Sequence, residues 1–249
     1  MNSNKCNLRE GYYTMTPIRW TIFGAICVVV LGALIFFSRD DSVDVTNLDA
    51  SKAVSQTENE IGDIVYGNAS SKVLLIEYGD FQCPGCAAAY PQLSQIKEMY
   101  KDQIGFVFRH FPLTTIHPNA LAAATVAEAA GLQGKFWEMH DKLYENQTSW
   151  SDIDPSKRED VFTGYAKELS LDMDKFTEDL ASSKVTNKVA RDRAFGNKVG
   201  VSSTPTVFIN DTKLTDEETS DLTGSNGEKV MDKLDAALKA NNIEPPKRP

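Results

Sequence analysis

The sequence predicts an α/β protein that contains an inserted helical domain and is preceded by one transmembrane helix. Three observations support this fold class. A long uncharged and mostly apolar run stands near the N-terminus, at Trp20–Phe37. A strand, a helix and a second strand follow one another over residues 73–108, and a further strand at Thr206–Ile209 comes only after a long stretch of helical periodicity.

The N-terminal run predicts a membrane anchor. As a helix, Trp20–Phe37 would span about 27 Å, close to the hydrocarbon thickness of a bilayer. The basic residues Lys5, Arg9 and Arg19 precede the run, whereas Arg39 after it is followed at once by Asp40, Asp41 and Asp44. By the positive-inside rule, residues 1–19 lie in the cytoplasm and the chain after Phe37 lies outside it. We therefore expect a single-pass protein of the cell membrane with an extracytoplasmic domain.

A cleaved signal peptide is the alternative interpretation of this run. The run is longer than the usual apolar region of a signal peptide, and no small-x-small cleavage site follows it, which favours an uncleaved anchor. Cys27 is interpreted as an apolar residue of the membrane helix, because Ile26 stands where a lipid attachment site needs a small residue.

Composition excludes one class of function. The formal net charge is −9 and the basic residues are not concentrated anywhere, which argues against binding to nucleic acid. With 249 residues, of which 41% are hydrophobic, the chain can bury one substantial core, with or without an inserted lobe.

The sequence divides into a tether, a discontinuous main domain and an insertion. Residues 38–60 are rich in Asp, Ser, Thr and Asn without apolar periodicity, as expected of a solvated linker. The main domain is expected to comprise residues 61–115 and 196–242, with the inserted helical domain at 116–195 and a frayed tail at 243–249.

The first part of the main domain predicts a β-α-β unit. Val73–Tyr78 is typical of a buried strand, Cys83–Tyr100 of a helix, and Ile104–Phe108 of a second strand. Such a unit implies a parallel strand pair joined by a crossover. The basic pair Arg109–His110 that follows the second strand is interpreted as structural.

The remaining elements follow from periodicity and from helix-start signals. The insertion is expected to hold five helices, at Pro118–Gly131, at Phe136–Tyr144, from an Asp154 N-cap with Pro155, around Phe176 and Leu180, and from Val185 to near Gly200. After Thr206–Ile209 we expect a weak return strand around Thr212–Leu214 or Leu222, a solvated acidic loop at Asp216–Glu218, and a final amphipathic helix at Val230–Leu238.

Two of the four cysteines are placed for redox chemistry. Cys6 falls on the cytoplasmic side and Cys27 within the membrane run, so Cys83 and Cys86 are the pair left in the external domain. Cys83-Pro84-Gly85-Cys86 follows a strand and begins a helix, where unsatisfied N–H groups stabilise a thiolate and lower its pKa. We therefore expect Cys83 to be the exposed nucleophile and Cys86, one turn later, the more buried resolving thiol.

Two other uses of the cysteine pair are disfavoured. Zinc normally takes four ligands, and the histidines His110, His117 and His140 stand at no close ligand spacing, so we expect no metal. An inert structural disulfide across so short a loop would stabilise the fold little.

Three motifs in this order carry a family resemblance. They are Phe81-Gln82-Cys83-Pro84-Gly85-Cys86, the helical stretch Ala129–Trp137 (AAGLQGKFW), and Val201-Ser202-Ser203-Thr204-Pro205-Thr206. Together they resemble the DsbA-like thioredoxin-fold proteins, especially membrane-anchored members of Gram-positive type. The resemblance covers about residues 61–238 and implies a thioredoxin fold with an inserted helical domain.

The resemblance implies two further site features. A cis peptide bond is expected at Pro205, with the backbone of Thr204 pairing with an extended substrate segment; without the resemblance, a trans proline at an edge strand is the default. Glu77, six residues before Cys83, matches the buried acid that moves protons to and from Cys86; the alternative is a glutamate that faces solvent.

The dipeptide between the cysteines matches the family only in part. Pro84 matches the family's proline, but Gly85 replaces a bulkier residue, often His or Tyr, of many oxidising relatives. A side chain that could support the thiolate is therefore missing, and the strength of oxidation stays open.

These features predict an extracytoplasmic oxidase that introduces disulfides into exported proteins. Its substrates would be exported cysteine-containing proteins, it would need no cofactor beyond the Cys83–Cys86 disulfide, and the resemblance implies a membrane quinone-linked partner that recharges it. A reductase or isomerase on the same fold is the first alternative, although no segment resembles the dimerisation module that an isomerase needs. A non-catalytic peptide-binding or chaperone module is the second.

Overall fold

A mixed five-stranded sheet forms the centre of the molecule. The computed structural model describes residues 43–224 and 226–248. The strands are β1 (Tyr66–Gly67), β2 (Leu74–Gly79), β3 (Gly105–His110), β4 (Thr206–Ile209) and β5 (Thr212–Lys213). Their spatial order is β1-β3-β2-β4-β5; β2 and β3 are parallel, and the other pairs are antiparallel.

The helices pack around this sheet and form the insertion. They are α1 (Pro84–Tyr100), α2 (Ala120–Gly131), α3 (Phe136–Glu145), α4 (Gln147–Trp150), α5 (Arg158–Glu168), α6 (Met173–Leu180), α7 (Ser183–Lys198), α8 (Asp216–Gly224) and α9 (Glu228–Ala240). The order of elements agrees with a thioredoxin fold in which α2–α7 are inserted between β3 and β4.

Strand β2 occupies the middle of the sheet, which explains its composition. All six of its residues are buried, because β3 and β4 flank its edges and helices cover its faces. The register places Glu77 beside Phe108 of β3 and Val207 of β4. Glu77 is thus a carboxylic acid in a strand that is otherwise apolar or glycine.

One predicted helix start is wrong. Asp154 does not cap a helix that begins at Pro155; helix α5 begins at Arg158. The Asp154 carboxylate accepts hydrogen bonds from the backbone N–H and the hydroxyl of Ser156, at 2.8 and 2.6 Å. This local turn competes with the helix and delays its start.

The acidic run that was predicted to be a loop is also different. Asp216–Glu218 forms the first turn of α8. Thr215 and Glu218 make a capping box, in which Thr215 N–H donates to Glu218 Oε2 at 2.8 Å and Glu218 N–H donates to Thr215 Oγ1 at 3.2 Å. The clustered negative charge is favourable there because it lies at the positive end of the helix dipole.

The predicted solvated linker at residues 38–60 is packed on the domain over its described part. Val45 and Ala50 are buried. The guanidinium of Arg109, on β3, donates to the carbonyl of Ala50 and, at 2.8 Å, to that of Lys52. Hydrogen bonds to backbone carbonyls, which leave no periodic pattern in the sequence, hold much of this segment in place.

A buried group of charged residues connects the insertion to the sheet. We call it the ion cluster; its members are Asp63, Arg109, His110, Glu128, Lys188 and Asp192. Lys188 Nζ lies 2.5 Å from Asp192 and 3.3 Å from Asp63. Although burial opposes its charge, the Lys188 and Arg109 cations hold the pKa of Asp63 at about 2. The cluster thus joins the segment before β1, strand β3, and helices α2 and α7.

The predicted membrane anchor at residues 20–37 lies outside the described residues, as do Cys6 and Cys27. Within the part of the chain that the structure describes, none of the helices combines the length and the apolar character that crossing a bilayer requires.

Candidate active site

The cysteine pair lies where β2 passes into α1. Cys83 is the N-cap residue of α1, with an extended backbone (φ −69°, ψ 123°), and Pro84 takes the first helical position. Proline fits there because its fixed φ suits the helix and its missing N–H is not needed in the first turn. The Cys83 side chain therefore projects from the N-terminal end of the helix, where N–H groups are unsatisfied.

The two thiols have opposite electrostatic environments. Both are free, buried thiols in this structure: Cys83 is 8% exposed, so the expectation of an exposed nucleophile is wrong, while Cys86 is fully buried as expected. A hydrogen bond from Cys86 is the main reason that the pKa of Cys83 falls to about 5; Thr204 and the N–H groups of Cys86 and Gly85 add to the effect, and burial opposes it. Burial raises the pKa of Cys86 well above its ordinary value. Cys83 is therefore the thiolate at neutral pH, and Cys86 the thiol.

The Thr204–Pro205 loop closes one side of the site. Its peptide bond is cis, as the resemblance implies. Cys83 Sγ lies 3.4 Å from the carbonyl oxygen of Thr204. A Cβ atom on Gly85 would lie 3.4 Å from Pro205 Cδ and 3.7 Å from Cys83 Sγ, so glycine leaves the space between the sulfur and the proline open.

Glu77 is buried beneath the cysteine pair, and the solvent-facing alternative is wrong. Only 2% of its surface is exposed. Burial raises the pKa of Glu77 to about 8; the Cys83 thiolate adds to this rise, and the Lys97 ammonium opposes it. The side chain therefore carries a proton at neutral pH that it can give up near neutrality.

The stabilising effect of replacing Glu77 with glutamine in the reduced protein is expected to grow as pH rises. Between about 4.5 and about 8 the unfolded carboxyl is ionised while the folded one keeps its proton, so ionisation favours unfolding across this window. The free energy of unfolding of Glu77→Gln relative to the parent should increase by roughly 2–4 kcal/mol from pH 5 to pH 8.

Urea unfolding at both pH values measures this difference. The exposed Glu98 is the control, because hydrogen bonds from Lys101 and Tyr66 lower its pKa, and Glu98→Gln should show no such increase. Parallel pH curves for Glu77→Gln and the parent would mean that Glu77 is already ionised at neutral pH.

Sequence analysis missed Asp80, which supports the site from below. Its backbone N–H lies 3.5 Å from Cys86 Sγ. Its buried carboxylate accepts hydrogen bonds from Gln82 N–H at 2.8 Å, Leu113 N–H at 2.9 Å and His117 Nδ1 at 2.7 Å. In the sequence, the only sign of this role is that a polar residue stands between strand β2 and the cysteine motif, and a polar residue there is equally typical of a turn.

The short helix α4 is another missed element. Gln147 Nε2 donates to the carbonyls of Phe81 and Cys83, at 2.7 and 3.0 Å. These bonds attach the insertion to the active-site loop. A helix of four residues is too short to leave a periodic signal.

Among the described residues, three side chains are of the kinds that bind metal ions and lie close enough together to hold one. His110, Glu128 and Asp192 each place a ligand atom within 4.8 Å of the others. The Lys188 ammonium lies between them, however, at 3.6 Å from Glu128 and 2.5 Å from Asp192. A cation of the protein itself thus fills this position.

The two thiols lie at a helix N-terminus beside a cis-proline loop of a mixed sheet. This arrangement defines a dithiol–disulfide site of thioredoxin type. A family model described as thioredoxin matches residues 59–225, more than half of the chain. The chain belongs to this thioredoxin family.

Solved structures add the subclass of fold. Oxidised BdbD from Bacillus subtilis has a TM-score of 0.59 at 21% identity, covering 76% of this chain and 99% of that chain. Wolbachia pipientis alpha-DsbA1 has a TM-score of 0.56 at 22% identity, covering 72% and 96%. A thioredoxin-like oxidoreductase from Silicibacter pomeroyi DSS-3 has a TM-score of 0.57 at 24% identity, covering 71% and 92%. The chain thus belongs to a thioredoxin family and shares the fold of these DsbA-like proteins.

Similar stretches also occur in much longer proteins. The Na(+)/H(+) antiporter NhaA 1 of Salinispora arenicola is 42% identical over 148 residues, which are 59% of this chain and 22% of that protein. NhaA 1 of Mycolicibacterium vanbaalenii is 38% identical over 152 residues, 59% and 23% respectively. The chain thus spans about a fifth of the length of the curated relatives it matches.

Proposed function

We propose that this protein is an extracytoplasmic oxidase that introduces disulfides into exported cysteine-containing proteins. The observation that carries the proposal is the contrast between the two thiols: the pKa of Cys83 is about 5, and that of Cys86 lies well above its ordinary value. A stable Cys83 thiolate stabilises the reduced enzyme, which makes the disulfide a stronger oxidant.

The first step is attack by a substrate thiolate on Cys83 Sγ of the enzyme disulfide. A bond forms between the substrate sulfur and Cys83, and the Cys83–Cys86 bond breaks. The electron pair of that bond stays on Cys86, which takes up a proton because burial disfavours its thiolate. Glu77, protonated at neutral pH and buried nearby, is the donor in this scheme.

The second step releases the oxidised substrate. A second substrate thiolate attacks the substrate sulfur of the mixed disulfide, so that the substrate gains a disulfide and Cys83 leaves as a thiolate. Since the pKa of Cys83 is about 5, it leaves without needing a proton at neutral pH. Two electrons have then moved from the substrate dithiol to the enzyme.

Recharging reverses these events with a different partner. Cys83 attacks a partner disulfide and one partner thiolate leaves. Glu77, once it has released its own proton, accepts the proton of Cys86, which attacks Cys83 and displaces the second partner thiolate. A membrane quinone-linked protein is the proposed partner, in keeping with a tether at Trp20–Phe37 that holds the enzyme at the outer face of the cell membrane with its N-terminus in the cytoplasm.

Substrate binding is proposed at the cis-proline loop. Thr204 and Pro205 lie beside Cys83, and an extended peptide that pairs with the backbone of Thr204 would bring its cysteine toward Cys83 Sγ. The open space above Gly85 favours close approach of the substrate backbone.

The redox potential tests the oxidase against a reductase on the same fold. We expect the full chain, equilibrated in glutathione buffers and analysed by thiol trapping, to have a potential above about −200 mV, in the range of known oxidants. A value below about −250 mV would assign it to the reductases. Because Gly85 provides no side chain to support the thiolate, we expect it to be a weaker oxidant than DsbA itself, at about −120 mV.

A further inference from the structure

Three buried polar atoms lie around one aromatic ring without a hydrogen-bond partner among the described residues. They are Glu77 Oε1, His140 Nε2 and the Tyr144 hydroxyl. The ring is that of Phe108, whose centroid is 4.9 Å from that of His140 and 6.2 Å from that of Tyr144. Buried polar atoms are nearly always hydrogen-bonded, so three unpaired ones in one place indicate a site for buried water.

Glu77 reaches this place because Gly79 leaves room for it. Glu77 and Phe108 are register partners on parallel strands, so their side chains share a face of the sheet. A Cβ atom on Gly79 would lie 2.3 Å from the Phe108 ring and 3.0 Å from Glu77 Oε1. The Glu77 carboxyl group and the edge of the Phe108 ring therefore both lie next to the space above Gly79.

His140 presents a free lone pair toward the interior. The Asp141 carboxylate can only accept a hydrogen bond, so His140 Nδ1, at 2.9 Å, carries the proton and Nε2 does not. Burial lowers the pKa of His140 to about 4, which keeps the ring neutral at neutral pH. The Asp141 side chain is 33% exposed and also pairs with Lys97 at 3.0 Å. His140 thus stands between a buried acid and a carboxylate that reaches solvent.

Charged and titratable groups face this site from every element around it. They are Cys83 and Cys86 in the motif, Asp80 before it, Tyr90 and Lys97 on α1, His110 on β3, and Asp141 and Tyr144 on α3. The Lys97 ammonium acts on both Glu77 and His140.

We propose that His140 is a positioning residue for the exchange reaction, whose Nε2 together with the Tyr144 hydroxyl holds a water molecule against Glu77. This inference rests on the proposed function, in which Cys86 gains and loses a proton in each cycle. When Cys86 attacks Cys83 in a mixed disulfide, the Cys83–Cys86 bond forms, the partner thiolate leaves, and the Cys86 proton moves to Glu77. Because Glu77 is protonated at neutral pH, it accepts the Cys86 proton only after losing its own, and the water provides the route by which that first proton leaves the buried carboxyl.

The test separates the chemistry of the two cysteines in the full chain. The reduced protein is mixed with an aromatic disulfide reagent whose thiolate is coloured. The first equivalent is released when Cys83 attacks the reagent, and the second when Cys86 closes the disulfide. At neutral pH we expect His140→Phe to slow the second release about tenfold or more, with the first release changed less than about twofold.

Two further variants separate positioning from packing. His140→Gln keeps a polar group near the Nε2 position and should release the second equivalent within about threefold of the parent rate. Met139→Leu, buried in the same helix, removes no polar group and should do the same. If the ring only packed, phenylalanine would replace it better than glutamine in this aromatic surrounding.

Several outcomes would overturn the inference. The inference falls if His140→Phe releases the second equivalent as fast as Met139→Leu does. It also falls if His140→Gln releases it more slowly than His140→Phe, or if His140→Phe slows both releases equally. If Glu77→Gln leaves the second release unchanged, the inference falls although cysteine exchange stands. If the parent protein releases no second equivalent, it is the proposed function that fails.

Discussion

Replacing Cys83 with serine is expected to reduce disulfide formation in a reduced, unfolded exported protein to the uncatalysed rate, a loss of about a thousandfold or more. The hydroxyl of serine neither ionises near pH 5 nor forms a disulfide, so neither half of the exchange can take place. Cys86→Ser, given a disulfide-bonded protein instead, should accumulate a mixed disulfide: the Cys83 thiolate attacks the substrate disulfide, one substrate sulfur leaves as a thiolate, and no thiol at position 86 resolves the new bond. Both results are measured by thiol trapping and non-reducing gel electrophoresis.

Cys6→Ser is the control for this pair, since Cys6 lies far from the motif in the sequence and should not change the rate. Full activity in Cys83→Ser would place the chemistry elsewhere in the chain. Suppression of aggregation by Cys83→Ser with no disulfide formation would favour the peptide-binding or chaperone alternative over the oxidase.

Replacing Lys188 with methionine is expected to cost about 3–5 kcal/mol of unfolding free energy. Only 1% of the Lys188 side chain is exposed, and its ammonium contacts the carboxylates of Asp63, Glu128 and Asp192. Removing this cation leaves buried negative charges without their common partner, and burial already raises the pKa of Asp192. In thermal unfolding the melting temperature should fall by about 10 °C.

The matched control is Lys175→Met, which removes an exposed lysine that pairs with the mostly buried Asp179 of α6 at the same i,i+4 spacing. Because Lys175 is 49% exposed and pairs with one carboxylate where Lys188 contacts three, this change should lower the unfolding free energy much less than Lys188→Met. If the two substitutions lowered the unfolding free energy equally, burial would not make the ion cluster more important for stability than an exposed pair.

The parts of the fold that sequence predicted are those with repetitive or local signals. Apolar runs located β2 and β4, and the position of the cysteine motif after β2 located the start of α1. The cis bond at Pro205 and the burial of Glu77 were predicted from the resemblance, because a single sequence does not show whether a proline bond is cis or whether a glutamate is buried.

The parts that sequence did not predict depend on contacts between distant residues. The packing of residues 43–60 needs donors from Arg109 on β3 and from Lys198 on α7, which no local pattern reveals. Asp80 and Gln147 support the active site through bonds to backbone atoms and to His117, and their sequence neighbours are ordinary turn and helix residues. The acidic start of α8 was predictable in principle, because Thr215 and Glu218 have capping-box spacing.

The position of Lys188 has a consequence for motion. Its ammonium contacts carboxylates from the segment before β1, from α2 and from α7 itself, so a hinge between the sheet and the insertion could open only by pulling buried ions apart. Gln147 adds a second attachment at the active-site loop. We therefore expect the domain to stay rigid during exchange, so that under the proposed function the conformational adjustment would come from the substrate chain.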